Sequence, residues 1–197
     1  FGAASEGLSV QVGNIAGVYD SQAGQYDQSL GISGLGWHNH VGNSAVNGSF
    51  AFDTYGSNGA TGRNGVRLAY AMGDFSMIAS YSDLGGLERT SLGGSYSFND
   101  WAVHLGWQDS STDTEDKLSL IVQGDLGVAD VTFKVADNDG ETKYVIGGDF
   151  EVGAATTVSA YFADDEEVAG VGGQSYGVGF VHDMGGGTSI RGGLVEQ

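Results

Sequence analysis

The chain has 197 residues with 36 Gly, no Pro and no Cys, and 25 acidic against 7 basic residues give a net charge of -18. Internal glycine costs a helix roughly 0.5–1 kcal/mol relative to alanine, which argues against a helical protein, and the missing cysteine excludes disulfide staples. The acidity would repel nucleic-acid phosphates, and no run of about 18 apolar residues is present to form a transmembrane helix.

In chain order, GLSVQVGN, ending at Asn14, reads as a first strand. From Asn14 to Asn64 the alternation fades. Unstructured connectors of that length are uncommon and usually functional or disordered. Tyr19, Tyr26, Leu30, Trp37 and Phe50 give the segment groups that could pack against another surface.

Alternation then begins in earnest. Leu68, Tyr70 and Met72 share one face of an extended chain and Arg67, Ala69 and Ala71 the other, because strand side chains alternate with period two. After Gly73-Asp74, the residues Phe75, Met77, Ala79 and Tyr81 share a face, so the stretch reads as an antiparallel hairpin. Four more hairpins follow. Leu92, Tyr96 and Phe98 turn at Asn99-Asp100 into Trp101, Val103, Leu105 and Trp107, with His104 and Gln108 opposite. Leu118, Leu120, Val122 and Leu126 turn near Gly127 into Val131, Phe133 and Val135, with Thr132 and Lys134 opposite. Tyr144, Ile146 and Phe150 turn at Gly153-Ala154 into Val158 and Phe162. Tyr176, Val178 and Phe180 turn at Gly185 to Gly187 into Ile190 and Leu194, with Arg191 opposite. The intervening connections LGGLE, SSTDTED, DNDGE and ADDEEVAGVGG read as longer acidic loops at the other end of the sheet, an asymmetry expected of a membrane barrel.

One face of these strands is large and apolar; the other is small, polar and glycine-rich. That second face suits a water-filled lumen better than an ordinary protein exterior. Aromatics toward strand ends suit membrane interfaces. Every backbone group must pair when no water is present, and only a closed barrel leaves no edge. The expected class is therefore all-β, a transmembrane antiparallel barrel in one domain spanning 1–197, with about eleven strands visible. Arg67, His104, Lys134, Lys143 and Arg191 lie opposite the apolar residues and would line the lumen, since a charge on the lipid face costs roughly 2–4 kcal/mol at the midplane.

The order of parts resembles the Gram-negative general porins, most closely those of alphaproteobacteria of the Rhodobacter type: GLSVQVGN, the long insertion, VRLAYAMGDFSMIASYSD, paired strands, and DMGGGTSIRGGLVE near the end. The resemblance implies a sixteen-stranded barrel of the outer membrane, of which about four leading strands and one trailing strand would be missing here. It also implies that segment 14–64 is the loop that folds inward and narrows the pore, with acidic groups facing a basic wall. Asp20, Asp27 and Asp53 are the acidic candidates on that loop. By the same resemblance the protein would be a homotrimer passing small hydrophilic solutes and ions, with no catalytic residue and no required cofactor.

Other motifs carry less. WHNH, Trp37 to His40, offers two histidines with no third metal ligand nearby. DNDG, from Asp137, imitates a calcium loop, but Gly148 stands where its bidentate Glu belongs, so a hairpin is the better reading. Asp164, Asp165, Glu166 and Glu167 form an acidic loop that could hold Ca2+ or Mg2+ and bridge to lipopolysaccharide. Two alternatives remain open: a secreted acidic Gly-rich β-solenoid or adhesin, and an outer-membrane barrel enzyme.

Overall fold

A computed structural model describes residues 2–24, 64–111, 116–168 and 171–196. Twelve strands follow one another: β1 (Gly2–Ser5), β2 (Leu8–Asn14), β3 (Asn64–Met72), β4 (Phe75–Leu84), β5 (Leu87–Phe98), β6 (Trp101–Ser110), β7 (Lys117–Asp125), β8 (Asp130–Asn138), β9 (Glu141–Glu151), β10 (Thr156–Val168), β11 (Val171–Gly185) and β12 (Thr188–Glu196). Among the described residues one short helix, α1 (Val18–Ser21), lies between β2 and β3. Each strand pairs antiparallel with the next in a single sheet that keeps chain order from β1 to β12. Such a meander has none of the parallel stacking of a solenoid, which removes that alternative.

The strand beyond the eleven expected is β1, joined to β2 by a tight turn at Glu6 and Gly7, both left-handed with φ of 49° and 84°. Four residues give alternation too little length to register.

The five hairpin turns stand where the sequence puts them. The opposite end differs from expectation. LGGLE and DNDGE are not loops: β4 runs to Leu84 and β5 starts at Leu87, while β8 runs to Asn138 and β9 starts at Glu141. Left-handed pairs close both, Gly85 with Gly86 and Asp139 with Gly140, in the twist that suits a two-residue hairpin. Asp83 and Asp137 each accept a hydrogen bond from the glycine three residues on, at 2.8 and 3.1 Å. Of ADDEEVAGVGG, residues 163–168 belong to β10 and 171–173 to β11, so Asp164 and Asp165 point to opposite faces. At this end of the sheet the connections after β2 and β6 are the ones longer than two residues.

Register gives the sheet its slant. Phe75, Tyr96, Val103, Val122, Phe133, Ile146, Phe162 and Tyr176 are successive cross-strand partners. Phe75 is the first residue of β4 but Phe162 is the seventh of β10, so the turns drift along the strand direction from one hairpin to the next. Tilted strands with a fixed stagger are what closing a sheet into a barrel requires.

The faces are inverted relative to a water-soluble protein. Leu68, Met77, Leu92, Leu105, Leu118, Phe133, Ile146, Val178 and Leu194 are all exposed, whereas Ser91, His104, Gln108, Lys117, Ser119, Thr132, Lys134, Lys143 and Ser175 are buried. The large apolar set covers the outer surface and the polar set the inner one. Where glycine leaves the outer surface thin, an aromatic ring fills it: a Cβ on Gly124 would run into the Trp101 ring, and one on Gly192 would lie 2.8 Å from Phe180.

Candidate functional site

The inner wall carries the chemistry. Beyond Asn14 the chain turns inward, and α1 packs against β4, β5 and β6. Its four residues are too few for independent helical stability, so the surroundings hold it. Asp20 reaches back to accept the Gly17 N–H at 2.9 Å, and Ser21 Oγ donates to the Gly17 carbonyl at 2.6 Å, closing the first turn. Val18 and Tyr19 are buried, and Tyr19 clusters with Ile121 and Ala136 of the wall. Burial pushes the Tyr19 phenol well above its ordinary range, and the neighbouring Ser119 hydroxyl offsets part of that rise.

Cationic groups of the wall meet this segment. Lys117 Nζ stands 5.8 Å from the centre of the Tyr19 ring, within cation–π range. Arg67 donates to Ser21 Oγ and to Gln11 Oε1, both at 3.4 Å. His104 Nδ1 lies 2.8 Å from Ser95 Oγ, and the fully buried Lys134 is two register steps away on the same face, with Ile121 between them.

Lys143 Nζ lies 3.5 Å from Asp165 Oδ2, and both side chains are buried, so its charge is compensated on the wall. Arg191 is exposed on β12, with Nε donating to Ser189 Oγ at 3.4 Å.

Of the five basic side chains expected on the inner face, His104, Lys134 and Lys143 are buried with the polar set, Arg67 reaches Ser21 of the inward segment, and Arg191 is exposed on β12. Two more were missed, Arg89 and Lys117, each 3% exposed. LGGLE reads as a loop, which stops the alternation short of Arg89, and the apolar pattern of the next strand begins only at Leu118, one residue past Lys117. Extending the alternation one step past each boundary would have found both: Arg89 shares parity with Ser91, and Lys117 with Ser119.

Acidic groups separate by position. Asp100, Asp125, Asp130 and Asp149 converge at the turn end, lining a cavity of about 500 Å³ together with Ser97, Gln123 and Thr132. Asp125, Asp130 and Asp149 are direct cross-strand partners, a like-charge arrangement that costs rather than contributes stability. Among the loop candidates, Asp20 is described, as above; Asp27 and Asp53 lie outside the described residues, as does WHNH. Of the four carboxylates from Asp164 to Glu167, Asp165 faces inward to Lys143. Asp164 accepts from Gln174 at 3.2 Å, and Glu166 accepts from the Thr142 N–H at 3.0 Å. The Glu167 side chain lies outside what the structure describes. Among the described residues no group of three or more His, Asp or Glu side chains could hold a metal ion.

Comparison with known proteins agrees with this geometry. The porin of Fuscovulum blasticum is 26% identical over 214 residues, covering 84% of this chain and 72% of that protein. Two engineered variants of the same organism's porin, described under Rh. blastica and Rhodopseudomonas blastica, superpose with TM-scores of 0.77 and 0.78 at 22% and 21% identity. Each comparison covers 98% of this chain and 69% of the other. These two show a shared barrel fold. The profile of a family described as Gram-negative porin matches residues 1–197, and the chain belongs to that family of outer-membrane channels.

Proposed function

We propose that the protein is a passive channel for small hydrophilic solutes and ions, narrowed by the segment that starts after Asn14, with no chemical step. The observation that carries this reading is α1 seated on the polar inner wall, where it takes up space that solutes would otherwise use, with Arg67 and Lys117 beside it.

Size selection follows from the bulk of that segment. Charge selection follows from which groups face the open space. Arg67 and Arg191 are the basic groups with open surface, Lys117 reaches the Tyr19 ring, and Asp20, Asp27 and Asp53 are their acidic counterparts, while Arg89, His104 and Lys134 are buried on the same face. Lys143 contributes little because Asp165 compensates it. Asp20 is partly committed to the start of α1, so Asp27 and Asp53 are the stronger acidic candidates. At the turn-end mouth, Asp100, Asp125, Asp130 and Asp149 concentrate cations by their summed field, which favours a cation preference at low salt.

Family membership supports a homotrimer. Contact with lipid and lipopolysaccharide is supported by the outer surface: Asp164 and Glu166 sit on the apolar side of the sheet near its loop end, where Ca2+ or Mg2+ could bridge carboxylates to lipid phosphates. Asp165 takes no part because it faces inward.

Planar-bilayer recording tests the reading. Stepwise, ohmic openings with a sharp cut-off for neutral polymers are expected; absence of any conductance from correctly folded protein would contradict it.

A further inference from the structure

We infer that Gln22 is a positioning residue that locks the narrowing segment in place, in a groove floored by Gly93 and Gly106. The inference rests on the constriction reading above and adds what sets its geometry.

Gln22 follows α1 directly. Its own N–H donates to the Val18 carbonyl at 2.8 Å and ends the helix, while its side chain, 6% exposed, turns to the wall. There Nε2 donates to the Leu105 carbonyl at 2.7 Å and to the Gly94 carbonyl at 3.3 Å. Gly94 and Leu105 are register partners on β5 and β6, so one amide grips two neighbouring strands at a single rung. A primary amide has two N–H donors, and each carbonyl oxygen has a second lone pair, so the grip is compatible with the strands' own ladder.

The floor is shaped for this contact. A Cβ on Gly93 would stand 2.8 Å from Val18 Cγ1, closer than side chains tolerate. One on Gly106 would stand 3.1 Å from both Gln22 Oε1 and the Tyr19 hydroxyl oxygen. Serine and glutamine occupy the neighbouring inner positions Ser91, Ser95 and Gln108, so these two glycines form a local depression that admits α1. Because a four-residue helix cannot hold its own shape, removing the grip releases the segment rather than leaving it in position. The narrowing is thus set by wall contacts at its first turn.

Three forms of the full protein in planar bilayers test the inference: wild type, Gln22→Glu and Gly93→Val. Gln22→Glu keeps the shape but replaces the donor with an oxygen facing two carbonyls, and Gly93→Val fills the groove. Gln22→Glu should raise the undocked population of α1 about tenfold, the factor that one lost hydrogen bond of ordinary strength carries, and Gly93→Val should raise it by displacing Val18. That change should appear as added open-channel noise and a higher cut-off for neutral polymers, with thermal loss of sheet signal unchanged. Wild-type noise and cut-off in Gln22→Glu would overturn the inference even if Gly93→Val failed to fold. A parallel fall in barrel melting would also overturn it, since Gln22 would then support the barrel as a whole. If wild type itself gave no ohmic steps, the channel reading would fail and the inference with it, a result distinct from a conducting wild type with a silent variant.

Discussion

Phe133 and Lys134 are adjacent in β8, yet the phenyl side chain is 42% exposed and the lysine 0% exposed. A soluble protein reverses that order. Here the apolar ring needs lipid and the ammonium needs the inner wall, so neighbouring substitutions should have opposite consequences. Phe133→Lys is expected to destabilise folding into vesicles by about 2–4 kcal/mol if the residue sits near the membrane midplane. Thr132→Lys should cost much less. Urea titration of vesicle-inserted protein measures both.

Neutralising the wall beside α1 should move selectivity. With Arg67→Ala and Lys117→Ala combined, reversal potentials across a salt gradient are expected to shift toward cations. The shift should shrink as salt rises from about 0.1 M to 1 M, where the screening length falls from about 10 to 3 Å. A shift toward anions would contradict the assigned face.

Lys143 and Asp165 should behave as a unit. Asp165→Asn strands a buried ammonium and is expected to cost up to about 3–5 kcal/mol, whereas Lys143→Met with Asp165→Leu removes both charges and should recover most of that loss. A double-mutant cycle by thermal unfolding reads the coupling. Additive single effects would remove the pair from the account.

Much of this arrangement could be read before any coordinates. Two-residue periodicity puts Arg67, His104, Lys134, Lys143 and Arg191 on the face opposite the large apolar residues, because a strand leaves a side chain no third direction. Acidic, glycine-rich stretches were misread as loops for a physical reason: composition marks where a chain can turn, not how long the ladder continues before it does. Gly85-Gly86 and Asp139-Gly140 turn in two residues, and the carboxylates around them belong to strands. α1 was not legible at all. It has no periodicity of its own, and its place depends on Gly93, Gly106 and the Leu105 carbonyl, which lie more than seventy residues further along the chain.

Tyr19 gives the docked segment a pH dependence. Burial raises its phenol above the ordinary value of 10.0. A phenol that keeps its proton more tightly when docked stabilises docking fully below that ordinary value. The contribution is then lost as pH rises through 10 toward the docked value. Open-channel noise should therefore grow above about pH 10 in wild type and stay flat in Tyr19→Phe. Equal noise in the two proteins across that range would exclude Tyr19 as the cause.

Trp101 lying over Gly124 predicts a fluorescence response. Gly124→Val should push the ring off the outer surface at a cost of about 1–3 kcal/mol, with a shift in tryptophan emission. An unchanged spectrum would mean that the ring does not rest there.

The 197 residues contain no cysteine, so every thiol introduced into this chain is unique in it and the central claim is directly measurable. Single cysteines at Val122, Gln123, Thr132 and Phe133 in the membrane-inserted protein should alternate. Those at Gln123 and Thr132 should react with a charged, water-soluble thiol reagent, and those at Val122 and Phe133 only with a lipid-soluble one. The reverse alternation, with Val122 and Phe133 open to the charged reagent and Gln123 and Thr132 protected, would contradict an apolar exterior around an aqueous interior.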